Sequence, residues 1–286
     1  MWGASFLFIK VAVEELAPID VALGRTAIGA LTLIAILLAT RTALPRGARL
    51  WGHLLIAGTL FNAVPFALFA YGEERVSSVL AGIWNATTPL LTLLVVLAVL
   101  PGERPTRRRI AGLLIGFAGV LVVLGPWRDL GGSALAGQLM CLGAAACYAL
   151  GFGHTRRFLA GRSESGIALA SGQLLCATVL LTIATAVAGG APPALGGDTV
   201  ASMLCLGALG SGVAYLLNYS IIRRAGATTA STVTYLIPLF STVLGVVVLG
   251  EALSWNQPAG AAIVLAGVAI ANGLLRLPPP GRARTA

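Results

Sequence analysis

Charge is scarce in this chain. Asp, Glu, Lys and Arg make up 10% of 286 residues, against ~25% in soluble domains. A globule of this size would have too little polar surface to meet water. Histidine is nearly absent, with two residues, and no cluster of His, Asp and Glu sits in the membrane core. The nucleophile–base pair or metal cluster that an enzyme needs is therefore missing. No G-x-x-x-x-G-K loop occurs, which speaks against a pump driven by nucleotide hydrolysis. The four cysteines, Cys141, Cys147, Cys176 and Cys205, form no C-x-x-C pair and lie in apolar stretches. They read as small buried residues, not as disulfide partners or ligands. Alternating strand patterns are also lacking, which argues against a β-barrel. Neither a metal nor an organic cofactor is expected.

What the chain has is apolar length. Hydrophobic residues reach 57% and the mean hydropathy is +0.91. Runs near 20 residues recur, the length that crosses ~30 Å of hydrocarbon. The expected class is an all-α integral membrane protein. Its ten transmembrane helices are placed near 1–16, 20–40, 51–71, 76–99, 109–127, 134–155, 166–188, 199–222, 227–249 and 257–275. The net charge of +9 does not imply nucleic acid, because the arginines sit between the apolar runs. One set of loops carries fifteen of them, at 41–49, 104–109, 156–162, 223–224 and 276–284. The other set carries Arg75 and Arg128. Positive loops stay cytoplasmic, so both termini are expected inside the cell membrane. The partners expected are the lipid bilayer and a small-molecule solute, with the chain a monomer or homodimer.

The chain also repeats, with an offset of 146–149. WGASFLFIK (2–10) lies over YALGFGHTR (148–156). ERVSSVLAGIWNATTPL (74–90) lies over RAGATTASTVTYLIPL (224–239), pairing Pro89 with Pro238. GERPTRRRIAGLLIGFAGV (102–120) lies over GEALSWNQPAGAAIVLAGV (250–268), and makes Glu103 and Glu251 mates. Residues 1–127 and 134–275 thus each hold five spans, followed by a cytoplasmic tail, 276–286. Five is odd, so the second half enters from the opposite side. The repeats are inverted, as in many secondary transporters. By this comparison the first span is short at its start: either about ten to fourteen further apolar residues lie upstream, or the first helix is itself short.

These segments, with TASTVTYLIPLFSTVLGVVVLGEAL, resemble the EamA-like permeases of the drug/metabolite transporter superfamily. The resemblance covers about 2 to 275. It implies a ten-helix, two-repeat carrier of amino acids, other small metabolites or toxic compounds, and it implies export. A channel or scaffold, and more distantly a membrane-embedded enzyme, stay open as alternatives.

Polar residues inside apolar spans mark the candidate site, since an unpaired polar group in lipid is costly. Ser78, Ala81, Asn85, Thr88 and Thr92 share one helical face at 3,4 spacing. Their mates are Ser231, Thr234, Pro238, Ser241 and Gly245. Asn62, Phe66, Phe69 and Glu73 line the third span. Ser211, Tyr215 and Asn218 line the eighth, with Tyr219 adjacent. Aromatics plus hydrogen-bonding groups suit a small-molecule cavity, so Trp84, Tyr148 and Tyr235 join this set. Taken singly, any of the Ser or Thr residues reads as well as a bond between helices. Pro89 and Pro238 each remove a backbone donor, as packing kinks or as hinges. Lys10 precedes Glu14 and Glu15 by one turn and is expected to snorkel or pair with them near the outer face, with Arg25 reaching the same rim. Glu73 and Glu74 are the acidic candidates at the outer mouth. The glycines at 112, 116, 119, 260 and 267 read as notches for close helix approach. Trp51, Trp127 and Trp255 read as interface anchors.

Overall fold

In the computed structural model, residues 1–99, 106–125, 132–159, 162–188, 195–218 and 233–275 are described. Among these residues every regular element is helical. The helices are α1 (Ser5–Ala12), α2 (Pro18–Ala39), α3 (Ala48–Glu73), α4 (Ser78–Asn85 and Thr88–Val99) and α5 (Arg107–Leu124). They continue as α6 (Gly132–Phe158), α7 (Gly166–Ala188), α8 (Gly197–Asn218), α9 (Val233–Leu249) and α10 (Asn256–Asn272). Among the described residues six stretches are long and apolar enough to cross a bilayer: α2, α3, Ser78–Val95 of α4, α6, α7 and α8. Leu236–Leu249 of α9 is a shorter apolar helix. The outer surface is greasy, with Leu31, Leu38, Leu114, Val187 and Val247 exposed, as suits a multi-pass membrane protein.

Local chemistry fixes the helix ends. Pro18 opens α2 after an extended Ala17, where its missing N–H costs nothing. Ser77 caps α4 by accepting the Leu80 N–H at 3.1 Å, and Thr106 caps α5 through the Arg109 N–H. Gly125 and Gly273 close α5 and α10 with positive φ, 60° and 79°, the backbone that glycine adopts without strain.

Two interruptions matter for the site. In α4 the helix breaks at Ala86–Thr87. Pro89 has no N–H to offer the Asn85 carbonyl. Tighter turn bonds take over, from the Ala86 N–H to Ile83 and from the Thr87 N–H to Trp84. The mate Pro238 stays inside a continuous helix, its carbonyl accepting from the Ser241 hydroxyl at 3.1 Å. The two prolines thus act differently. The second interruption is a pair of π-helical segments, Thr59–Ala63 in α3 and Cys205–Val213 in α8. Their starts are 146 positions apart. Such bulges often mark functional sites, and here Asn62 and Ser211 sit in them.

Helices α5 and α10 run antiparallel in close contact along small residues. A Cβ on Gly112 would meet Gly267 O and Ala271 N at 2.6 Å, and one on Gly119 would meet Val264 N at 2.6 Å. The expected glycine notches are real. Lipid tails are as apolar as leucine, so helix contact in a bilayer rests on such close packing instead of apolar burial.

Candidate functional site

Helices α1, α2, α3, α6, α7 and α8 converge on a buried patch of polar and aromatic side chains. Asn62, from the π segment of α3, is its hub. The Asn62 amide donates to the Tyr215 hydroxyl at 3.2 Å, and its carbonyl accepts from the Gln173 amide at 2.6 Å. Asn62 has no exposed surface, and Gln173 is buried. Tyr215 meets Trp2 edge to face at 6.3 Å, and the Trp2 indole donates to the Gly210 carbonyl at 3.0 Å. That carbonyl lies in the π segment of α8. Tyr148 of α6 packs on Phe61 and Phe69 at 6.2 and 6.1 Å.

Arg25 enters the same patch. It is 6% exposed and does not sit at a rim. Its Nε donates to Ser211 Oγ at 3.2 Å and one terminal nitrogen to Ser5 Oγ at 3.5 Å. Its guanidinium carbon lies 3.8 Å from the Phe66 ring centroid. Among the described residues Arg25 forms no ion pair. Arg25 is the eighth of the 22 residues of α2, and an ionisable side chain within a membrane helix is costly and marks a functional candidate.

Lys10 departs from expectation. It donates to the carbonyls of Glu73 and Val76, at 2.5 and 3.0 Å, instead of pairing with Glu14 or Glu15. The α3–α4 turn leaves those carbonyls free of helical partners, and a lysine stem of α1 reaches them first. Glu15 turns elsewhere: it accepts the Gly196 N–H at 2.8 Å. That bond, with a further one from Thr199, holds the Glu15 carboxyl below its usual range.

The two candidate carboxylates at the mouth separate. Glu74 is exposed and pairs with Arg75 at 3.0 Å, so it points away from the patch. Glu73 has no exposed surface, and among the described residues neither carboxylate oxygen has a hydrogen-bond partner. It is buried in the bundle, not placed at an open mouth.

On α4, Trp84, Asn85, Thr87 and Thr88 are all buried. Among the described residues the Trp84 indole nitrogen and the Thr88 hydroxyl have no hydrogen-bond partner. Among the described residues Asn85 makes no hydrogen bond to the Asn62 network. Asn218 is half-buried at the end of α8. Tyr219 and the side chains of Thr234 and Tyr235 lie outside the described residues, as do Glu103, Trp127 and the arginines at 104, 128, 223–224 and 276–284. An open cavity of about 450 Å³ lies elsewhere, between the α2–α3 and α6–α7 connections, lined by Pro45, Arg46 and Glu164 among others. It brings two of the arginine-rich loops together and is remote from the buried patch.

Three participants escaped the sequence reading. Ser5 gave no signal. Gln173 stood alone as a polar residue in the apolar run of α7. Glu251 was visible as half of a repeated Gly-Glu pair. Its Oε1 accepts the Ser78 N–H at 2.7 Å, and its Oε2 accepts the Val79 N–H at 3.0 Å and the Ser78 hydroxyl at 3.1 Å. A carboxylate beside α10 thus caps the first turn of α4, where the helix dipole favours negative charge.

The model of the EamA-like transporter family matches residues 1–125 and 135–273. An uncharacterized transporter of Archaeoglobus fulgidus is 30% identical over 276 residues, covering 94% of each chain. The uncharacterized inner membrane transporter YedA of Escherichia coli is 29% identical over 258 residues, 89% of this chain and 81% of that one. A chloroplastic WAT1-related protein of Arabidopsis thaliana is 28% identical over 280 residues, and the chain spans 66% of its length. A solved crystal structure shares the fold, with a TM-score of 0.68 at 24% identity, covering 96% of this chain and 93% of that one.

Proposed function

This chain belongs to the EamA-like transporter family, and on that premise we propose that it is a secondary carrier that exports small metabolites, such as amino acids or toxic compounds, by alternating access. A membrane transporter, not an enzyme, is what the family membership establishes. The rest is our reading. Residues 1–127 and 134–275 form two inverted five-helix repeats, ten crossings in all. Both termini face the cytoplasm, and the membrane is the cell's inner membrane. The solute sits against Asn62, Phe66, Tyr148 and Tyr215, with Trp84, Asn85 and Thr88 of α4 on the path. The paired π segments of α3 and α8, at the repeat offset, support the two-fold relation.

One observation carries the site assignment. The Asn62–Tyr215–Gln173 network joins side chains from both halves of the chain, with Asn62 and Gln173 buried and Tyr215 half-buried. Buried polar networks hold one geometry well, and a site shared between repeats can change sides when the repeats move. The test is an uptake and efflux screen in reconstituted vesicles, read as saturable flux without chemical change. With a transported solute in hand, Asn62→Ala and Tyr215→Phe should keep the folded amount while the half-saturating concentration rises about fivefold or more, the equivalent of ~1 kcal/mol of hydrogen bonding. Wild-type affinity in both variants would remove these residues from the site. Flux that does not saturate would favour a channel.

A further inference from the structure

We propose that the open cavity between the α2–α3 and α6–α7 connections seats the headgroup of a membrane phospholipid that carries both a phosphate and a primary ammonium. Arg46 takes the phosphate and Glu164 the ammonium. This site is separate from the buried patch and does not depend on which solute is carried.

Its position suits a lipid. The span of α2 ends at Ala39 and that of α7 begins at Gly166. Residues 42–46 and 163–165, just outside those ends, line the cavity together with Ala168. The cavity therefore lies where the spans leave the hydrocarbon, at the depth of the headgroups. Its volume of about 450 Å³ falls within the ~300–1,000 Å³ of small-ligand sites. One wall is held in place. The Trp51 indole donates to the Pro45 carbonyl at 3.1 Å. A Cβ on Gly172 of α7 would meet Pro45 Cγ and Trp51 Cη2 at 3.7 Å each, so the α2–α3 connection rests against α7. Leu44 lines the cavity and is 40% exposed, and Leu38, one turn before Thr42, is 75% exposed. An acyl chain leaving the cavity finds apolar surface there, which a soluble phosphate ester would not use.

The lining charges set the headgroup. Exposed arginines in these connections follow from orientation in the membrane, and alone they would draw any anionic lipid. That does not account for Glu164. It is the single acidic residue in 40–47 and 159–165, and it lies in the cavity lining with Arg46. Among the described residues its ion pair with Arg162 is 3.9 Å long, beyond hydrogen-bond range, and Arg46 forms no ion pair. A bare anion would gain from Arg46 and be repelled by Glu164. A zwitterionic headgroup satisfies both: the guanidinium fork matches phosphate oxygens, and an ammonium brings three N–H donors to the carboxylate. Thr42, Ser163 and Ser165 add hydroxyls. Ser165 Oγ already accepts the Ala168 N–H at 3.2 Å, which leaves its own proton to donate.

Three lipids that differ only in the headgroup test this. Phosphatidylethanolamine, phosphatidylglycerol and phosphatidylcholine with the same acyl chains are titrated separately into the purified full chain in detergent, and bound lipid is followed by native mass spectrometry. The second lacks the cation, and the third has a cation without N–H donors. Phosphatidylethanolamine should bind about fivefold or more tightly than either, as one hydrogen bond supplies. In Glu164→Gln its preference over phosphatidylglycerol should vanish. In Arg46→Gln all three lipids should bind about fivefold or more weakly. Glycerophosphoethanolamine, the same headgroup without chains, should not displace the lipid at equal concentration. Tighter or equal binding of phosphatidylglycerol or phosphatidylcholine to the wild type overturns the proposal. So does an unchanged preference in Glu164→Gln, or unchanged binding in Arg46→Gln. Displacement by glycerophosphoethanolamine overturns the lipid as occupant in favour of a soluble phosphate ester. If a variant does not fold, the wild-type ranking and the other variant decide. None of these results touches the carrier reading, which stands on saturable flux and on the Asn62 and Tyr215 variants.

Discussion

Glu251 shows how much a single side chain can join. Its two carboxylate oxygens take up two otherwise free backbone N–H groups at the start of α4 and one hydroxyl, across 173 and 172 positions of sequence. A capping group removed from a helix start costs about 0.5–2 kcal/mol, and a charged acceptor sits at the upper end of that range. Glu251→Ala should therefore lower the melting temperature of the purified protein clearly. Glu251→Gln, which keeps one acceptor oxygen, should lower it less. Equal melting of Ala variant and wild type would mean that the cap contributes nothing to the folded state. The same residue-level view explains why Lys10 ignores Glu14 and Glu15. A cation gains more from two buried carbonyls left free at a turn than from solvated carboxylates, whose pull water screens.

At the scale of the helix, the seam between α5 and α10 and the outer face of α3 make a controlled pair. Gly119 meets Gly260 O at 2.9 Å and Val264 N at 2.6 Å through the Cβ it lacks. Even alanine there must push two backbones apart. Gly52, in the first turns of α3, has nothing within 4 Å of its missing Cβ. Overpacking costs about 1–3 kcal/mol, whereas Gly→Ala on an open helix face gains up to about 1 kcal/mol. Gly119→Ala should melt earlier than wild type and Gly52→Ala at the same temperature or later. A stable Gly119→Ala would show that the two helices can separate without loss. The two prolines make the complementary point. Equivalent positions in a repeated sequence, Pro89 and Pro238, give a broken helix in one case and a continuous one in the other.

For the molecule as a whole, orientation is the property most open to test. The α2–α3 connection, with Arg46, meets residues 163–165, which follow Arg162, at one cavity, so two of the arginine-bearing connections lie at the same end of the bundle. Such an end should face the cytoplasm. A single cysteine in place of Thr106, in a variant without the four natural cysteines, should resist membrane-impermeant thiol reagents in intact cells and react once the cells are opened. Ready labelling in intact cells would reverse the orientation.

The sequence alone determined the class. Scarce charge, apolar runs of membrane length and arginine-rich connections permit few other solutions, because a bilayer demands that backbone groups bond within each segment. The EamA-like family was legible in the paired Pro and Gly-Glu motifs, now matched over both halves. The polar stripe of Asn62, Phe66, Phe69 and Glu73 was legible by period, and all four are buried. Which residues meet was not legible. Asn62 with Tyr215 and Gln173, Arg25 with Ser5, Ser211 and Phe66, and Glu251 with Ser78 lie 20 to 186 positions apart. A helical period gives the face of each helix. It does not give the neighbour that face finds, nor the shift of register that a π segment introduces. In lipid those choices fall to close packing and to the pull of buried donors and acceptors toward partners, which only the assembled bundle supplies.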